Sequence, residues 1–428
     1  MDWDAEKVSR SELEDRSIEL FREAVRRVKR TMPFYQERLK DIDADQIRTI
    51  DDIAQVPTTN KADLRSQAYQ SALGVPLKDI MELHASSGTT GSAVVTGYTA
   101  NDLKLWRTAM KRVLLRAGVH RGDLVHNAYG YGLFTGGLGF HYAALETGVT
   151  VLPISGGQTQ RQVTMLRELQ ATVLTCTPSY AQHISEVMKQ MGMSKEDLNL
   201  RVGIFGAEAW SQQMCDEIER ELGITALDVY GLAEIIGPGV ASECAEGHKG
   251  LHVSEDLFHF EVIDPETGKP VPDGTLGELV LTSIRREASP VVRYRTGDIT
   301  RVIPGSCACG RTTRRMDHIQ GRVDDMFTLR GVNLFPRDVE SALLEMDALA
   351  PVYQLVLDRH QALDVLEVHV EPRETEAERE ALATAVQRRL NEVLGVSVMV
   401  AVMDPQSIPR SEGKAVRVVD RRKLSYSR

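Results

Sequence analysis

The chain has no stretch of about 18 apolar residues, so nothing in it reads as a membrane-crossing helix. It has no excess of positive charge. Its 51 lysines and arginines stand against 61 aspartates and glutamates, for a formal net charge of −10 with both signs scattered. No basic stripe is there to neutralise a row of phosphates, which argues against nucleic acid as a partner. Cysteine is scarce, with five in 428 residues, too few for a disulfide scaffold. Met1 to Arg16 is charged where a signal peptide would need an apolar core, so a cytoplasmic protein is expected. Internal repeats, low-complexity tracts and long linkers are also missing.

What is present is ordinary globular composition, 42% hydrophobic and 26% charged, in a chain too long for one compact core. We therefore expect a large domain with a smaller partner. Ser11 to Arg30 places Leu13, Ile18, Leu20, Phe21, Ala24 and Val25 near helical spacing, an amphipathic helix lying on a body. Between about residues 100 and 240, β-prone segments at 124–126, 150–154, 171–175 and 201–205 alternate with helical ones at 160–169 and 211–222. That alternation predicts an α/β body with a largely parallel sheet. Gly277 to Thr282 and Pro290 to Tyr294 read as short strands of a β-rich appendage. Beyond about Arg322 the pattern becomes helix 336–346, strands 352–357 and 365–370, helix 374–394 stopped by Gly395, and strand 396–403. The division is a large N-terminal domain, residues 1–323, and a small α+β C-terminal domain, residues 324–428.

Four clusters carry chemistry. Ser86-Ser87-Gly88-Thr89-Thr90-Gly91 packs hydroxyls and glycines into six positions, which suits a phosphate cradle. It lacks the Gly-Lys-Ser/Thr ending of P-loop nucleoside triphosphatases, which disfavours that class. Asp228-Val229-Tyr230-Gly231-Leu232-Ala233-Glu234 delivers an aromatic, a tight turn and a carboxylate able to hold magnesium against phosphates. Tyr294-Arg295-Thr296-Gly297-Asp298, with Arg322 beyond it, offers a carboxylate for ribose hydroxyls and an arginine near the same sugar. Arg410-Ser411-Glu412-Gly413-Lys414 places a compact mobile ammonium on a glycine-hinged loop. Each cluster alone also fits an ordinary turn or a solvated surface pair.

Together, in this order and spacing, they resemble the adenylate-forming superfamily of acyl-CoA synthetases, and more closely the phenylacetate–CoA ligases over nearly the whole chain. Tyr131-Gly132-Leu133-Phe134-Thr135-Gly136-Gly137, Pro153-Ile154-Ser155-Gly156-Gly157 and Ile204-Phe205-Gly206-Ala207-Glu208 extend the match. The resemblance implies ATP, Mg2+ and coenzyme A as cofactors, and a small, aromatic carboxylic acid of phenylacetate or benzoate type as substrate. The acid becomes an acyl adenylate with loss of pyrophosphate, and the CoA thiol then displaces AMP. In such enzymes the loop from Ser86 to Gly91, with Glu208, Tyr230, Asp298 and Arg322, holds the nucleotide. Glu234 helps bind magnesium, and Lys414 is the catalytic lysine of the first half-reaction. The small domain is mobile, with Asp324 as its hinge, and such ligases are often homodimers. One departure is clear: Ser92-Ala93 stands where the family usually continues the phosphate loop with Lys-Pro.

The acyl pocket implied by the resemblance is lined by Tyr131, Gly132, Phe134, Gly206, Ala207, Ile235, Ile236 and Pro238, a slot suited to a flat ring. Cys244, His248, Cys307 and Cys309 supply three thiolates and an imidazole, the composition of a structural zinc site, with His252 as a competing fourth ligand and free thiols as the alternative. Two rival functions stay open at this point. One is an adenylating enzyme that passes the acyl group to an amine or a carrier-protein thiol; the other is a nucleotide-binding homologue weakened in catalysis.

Overall fold

The computed structural model describes residues 6–86, 94–323, 327–329, 332–360, 363–374, 378–413 and 415–422. Helix Arg10–Thr31 begins where Ser9 accepts a hydrogen bond from the Glu12 amide, and it buries Leu13, Ile18, Phe21, Val25 and Val28. Its apolar stripe packs with Ile284 and Val292.

Among the described residues the largest sheet has nine strands. Five are parallel neighbours: Thr150–Leu152, Leu124–Asn127, Val173–Cys176, Val202–Gly206 and Thr225–Leu232. Helices Thr135–Thr147, Thr159–Glu168, Pro178–Gln190 and Gln212–Leu222 connect them and cover both faces. Successive side chains go to opposite cores, as with Ile204 on one side and Phe205 on the other. The expectation of a largely parallel sheet needs correction, because four antiparallel strands extend it: Gly237–Ser242, Leu251–Val253, Arg315–Met316 and Val302–Ile303. The link from Leu232 to Gly237 is too short for a crossover helix and can only make a hairpin. Gly231 allows that hairpin to close, since a Cβ there would lie 2.0 Å from the Gly237 carbonyl oxygen.

The β-rich appendage is a four-stranded antiparallel sheet of Phe258–Ile263, Gly277–Ser283, Tyr294–Thr300 and Gly321–Arg322. The strand expected at 290–294 instead begins at Tyr294 and carries the whole Tyr294 to Asp298 motif. Arg293 breaks it with a left-handed φ of 43°. Its guanidinium holds that conformation by pairing with Glu261 and donating to the Ala54 and Val56 carbonyls at 2.7 and 2.6 Å.

The C-terminal part has its own core, including Leu355, Leu357, Leu366, Val368, Val386 and Leu390. Antiparallel strands Leu349–His360 and Leu363–Pro372 are flanked by parallel partners Val418–Asp420 and Met399–Val402, with helices Pro336–Leu344 and Arg379–Leu394 against them. Gly395, at φ 66°, ends the second helix as its sequence suggested. No helix of the described residues is long and apolar enough to cross a membrane.

Candidate active site

The chain from Ser86 to Val94 joins the strands of a hairpin, Glu82–Ala85 paired with Val95–Tyr98. Ser86 and Val94 close its base, since the Ser86 amide donates to the Val94 carbonyl and the Val94 amide to Ser86 Oγ, both at 3.0 Å. Ser87, Gly88, Thr89, Thr90 and Gly91 lie outside the described residues, as do Asp324 and Lys414.

Glu234 is buried at 4% exposure beside this hairpin. The ammonium of Lys61 stands 3.2 Å from its Oε1. Arg286, fully buried, donates to the carbonyls of Glu234 and Ile235 and, at 3.1 Å, to that of Gly97, while its guanidinium lies 4.5 Å over the Tyr98 ring. One cation thus fixes the backbone of the acidic turn and the hairpin together. Neither Lys61 nor Arg286 was foreseen, because the partners of both are remote in sequence.

Asp298 sits on strand Tyr294–Thr300, opposite Arg322 in the sheet register. It accepts from the Tyr230 hydroxyl at 2.5 Å and from Arg322 Nη1 at 2.6 Å. The second and third sequence clusters therefore meet at one carboxylate. At the end of strand Val202–Gly206, a Cβ on Gly206 would lie 2.1 Å from the Val229 carbonyl oxygen, so only glycine fits. Ala207 follows with φ 72°, a conformation L residues avoid without cause.

Of the expected acyl-pocket residues, Tyr131 is anchored by Asn127 Nδ2, which donates to its hydroxyl at 2.7 Å; His141 Nδ1 lies 3.3 Å away. Burial raises the Tyr131 pKa to about 12, so it stays a phenol. Phe134 is 51% exposed, whereas Ile235 and Ile236 are buried in the main core. Pro238 accepts from Trp106 Nε1 through its carbonyl.

The residues flanking Lys414 meet the large body. Thr177 Oγ1 donates to the Gly413 carbonyl at 3.0 Å, and the Ala415 amide donates to Glu208 Oε2 at 3.0 Å. Arg410 bridges Glu371 and Glu186. Arg417 pairs with Glu340 and donates to Ser179 Oγ at 2.9 Å.

Apart from these residues, Cys244, His252, Cys307 and Cys309 bring their ligand atoms within 4.8 Å of one another. His252, not His248, completes the cluster. His248 takes a left-handed φ of 43° and sits 3.6 Å from Glu219, whereas strand Leu251–Val253 carries His252 Nε2 to 3.3 Å from Cys309 Sγ. Thr313 Oγ1 lies 3.1 Å from the other ring nitrogen. The donor set and its burial fit a four-coordinate zinc.

Comparison with known proteins bears on these clusters. The AMP-binding enzyme family matches residues 28–284, and the AMP-binding enzyme C-terminal domain matches residues 331–422. The phenylacetate–coenzyme A ligase of Pseudomonas putida is 43% identical over 427 residues, covering 98% of this chain and 97% of its own. That of Escherichia coli strain K12 is 45% identical over 401 residues, covering 92% and 91%. The chain belongs to the phenylacetate–CoA ligase family. Its fold is that of adenylate-forming enzymes, and 2-hydroxyisobutyryl-CoA ligase in the postadenylation state superposes with a TM-score of 0.92 at 27% identity, over 98% of this chain and 92% of that one. The same ligase in its thioesterification state, with CoA bound, superposes at only 0.73 over the same shares of the two chains, at 29% identity. Of these two states of that ligase, the described arrangement of the C-terminal part is closer to the postadenylation one.

Proposed function

We propose that the protein joins a small aromatic carboxylic acid to coenzyme A at the expense of ATP, through an acyl adenylate. The observation that carries this reading is the pairing of residues that lie far apart in sequence: Glu234 with Lys61, Asp298 with Tyr230 and Arg322, and the residues flanking Lys414 with Thr177 and Glu208. In the first half-reaction a carboxylate oxygen of the acid attacks the α-phosphorus of ATP, and pyrophosphate leaves. In the second, the CoA sulfur attacks the acyl carbon, the bond to AMP breaks, and the thiol proton passes to solvent.

Each residue has a physical task. Asp298 accepts from the ribose hydroxyls, held in place by Tyr230 and Arg322. Lys414 carries positive charge to the substrate carboxylate and the α-phosphate, where negative charge concentrates as the P–O bond forms. Glu234 is the carboxylate that would hold Mg2+, which when bound neutralises the departing phosphates. Lys61 supplies a cation beside Glu234 in a chain whose phosphate loop continues with Ser92-Ala93 in place of Lys-Pro. Tyr131, Phe134 and the Gly206-Ala207 edge form the sides of the acyl slot, and an aryl ring suits aromatic and glycine walls. Cys244, His252, Cys307 and Cys309 would hold a structural zinc, since four protein ligands would leave no position open for substrate. The C-terminal domain, 324–428, turns between half-reactions about Asp324.

The test is ATP-dependent AMP release across benzoic, phenylacetic, hydroxylated aryl and short aliphatic acids, with and without CoA. AMP release with an aryl acid that depends on CoA is the expected result. Acid-dependent pyrophosphate release with no thioester would transfer the reading to an amine or carrier-protein acceptor.

A further inference from the structure

The Lys414 loop is held on the large body by a specific set of contacts, and one residue dominates it. Glu208 sends its two carboxylate oxygens to two backbone amides on different bodies: Oε1 accepts from Ser179 at 2.8 Å and Oε2 from Ala415 at 3.0 Å. Ser179 lies in the first turn of helix Pro178–Gln190, and Ala415 directly follows Lys414. A carboxylate at the start of a helix is favoured there by the exposed amides and the helix dipole, so Glu208 is fixed on the body side first and presents its second oxygen to the loop. The strained backbone of Ala207, at φ 72°, aims it.

The rest of the seat is shaped to the same loop. Thr177, the N-cap of that helix, donates its hydroxyl to the Gly413 carbonyl at 3.0 Å. Gly156 leaves room for the Glu412 backbone, since a Cβ there would come within 3.0 Å of the Glu412 carbonyl oxygen and meets nothing of the large body closer than 3.6 Å. A Cβ on Gly157 would lie 3.1 Å from Glu412 Oε2. Gly413 and Ala415, the neighbours of Lys414 in sequence, each make one hydrogen bond to the large body, and both must break if the loop is to leave.

We infer that Glu208, which the sequence reading assigned to the nucleotide, is instead a positioning residue that clamps the Lys414 loop for adenylate formation and releases it for thioester formation. The inference rests on the proposed role of Lys414 in the first half-reaction. Because the clamp exists only while the loop is docked, it stabilises one arrangement of the C-terminal part against the other, and its loss shifts the balance between half-reactions.

The experiment measures the two half-reactions separately in the full-length protein: acid-dependent pyrophosphate exchange for the first, and thioester formation from supplied aryl adenylate and CoA for the second. Glu208→Gln keeps the size of the side chain but presents an NH2 to one of the two amides. It is expected to slow pyrophosphate exchange about tenfold or more, the scale of a lost hydrogen bond to a charged group, with KM for ATP unchanged. Thioester formation stays equal or becomes faster. Glu208→Asp, too short to span both amides, falls between. Gly156→Ala presses on the docked loop without touching Glu208, gives a smaller loss in the same direction, and decides the matter if Glu208→Gln fails to fold. Equal losses in both half-reactions, or a raised KM for ATP with their ratio unchanged, overturn the clamp and return Glu208 to a structural or nucleotide-binding role. Lys414→Ala in the same assays tests the underlying reading by itself: loss of exchange with thioester formation spared supports it, and intact exchange removes it together with the clamp.

Discussion

Lys61 holds its ammonium 3.2 Å from Glu234 Oε1, and that oxygen has no hydrogen-bond donor among the described residues. The contact is ionic without hydrogen-bond geometry, so the carboxylate is partly neutralised yet keeps lone pairs available for a metal. A buried carboxylate arranged this way suits a site where charge arrives with the substrate. Lys61→Met leaves the acidic turn in place, because Arg286 fixes its backbone independently. We expect adenylate formation to fall by about 100-fold, the scale of removing one preorganised cationic or hydrogen-bonding group from a reacting centre. The rate should be partly restored by raising magnesium. A variant as fast as the parent would place the compensating cation elsewhere.

Asp298 takes donors from different parts of the chain, among them Tyr230 on the main sheet and Arg322 on the appendage. Asp298→Asn keeps the shape and removes the charge. Both donors remain, and the amide NH2 then opposes one of them. The expected outcome is a KM for ATP raised about tenfold with a smaller change in kcat, since the ribose is held equally before and during reaction. A fall in kcat alone would show that Asp298 acts on the reacting phosphate instead.

How much of this was legible from residues alone follows from how local each signal is. Helix Arg10–Thr31 and the stop at Gly395 depend on spacing and on one left-handed position, which the sequence displays directly. The parallel core strands are short apolar runs between helices and were equally visible. The antiparallel extension was not, because it hangs on the turn from Leu232 to Gly237 and the close approach at Gly231. Clusters could be named, but their junctions could not. That Asp298 meets Tyr230, or that Arg286 ties Glu234 to Gly97, depends on which strands neighbour each other. The choice between His248 and His252 failed for the same reason, since spacing favours the nearer histidine and topology brings in the farther one.

That choice makes a direct test of the metal. Protein purified without chelator should carry one zinc per chain, and His252→Ala should lower the zinc content while His248→Ala leaves it unchanged. Cys244 and His252 belong to the main sheet or the turn beside it, whereas Cys307 and Cys309 lie on the loop between Val302–Ile303 and Arg315–Met316. A bound ion would therefore pin that loop to the sheet, and its removal by a chelator should lower Tm. Kinetic constants of the chelated protein, measured well below its new Tm, should change little. Equal zinc content in both histidine variants would mean that the three thiolates bind without either imidazole.

A last expectation concerns pH. His126, on strand Leu124–Asn127, is completely buried, and its Nε2 lies 2.6 Å from Gln162 Oε1. Gln162 donates its NH2 to the carbonyls of Ser155 and Gly157, which leaves Oε1 as an acceptor and makes His126 Nε2 the protonated nitrogen of a neutral ring. Burial pushes the pKa down to about 4, against a smaller opposing effect of the Gln162 hydrogen bond. A depressed histidine pKa means that the unfolded chain takes up the proton first. The contribution of the neutral ring to stability is complete above the unfolded value near 6.5 and is lost as pH falls toward about 4. Urea unfolding of the parent and of His126→Gln, followed across this range, should show the parent losing stability more steeply, because the glutamine has no proton to gain. Parallel curves would show that His126 does not change charge on unfolding, and would leave other buried histidines, such as His259, to account for any loss in acid.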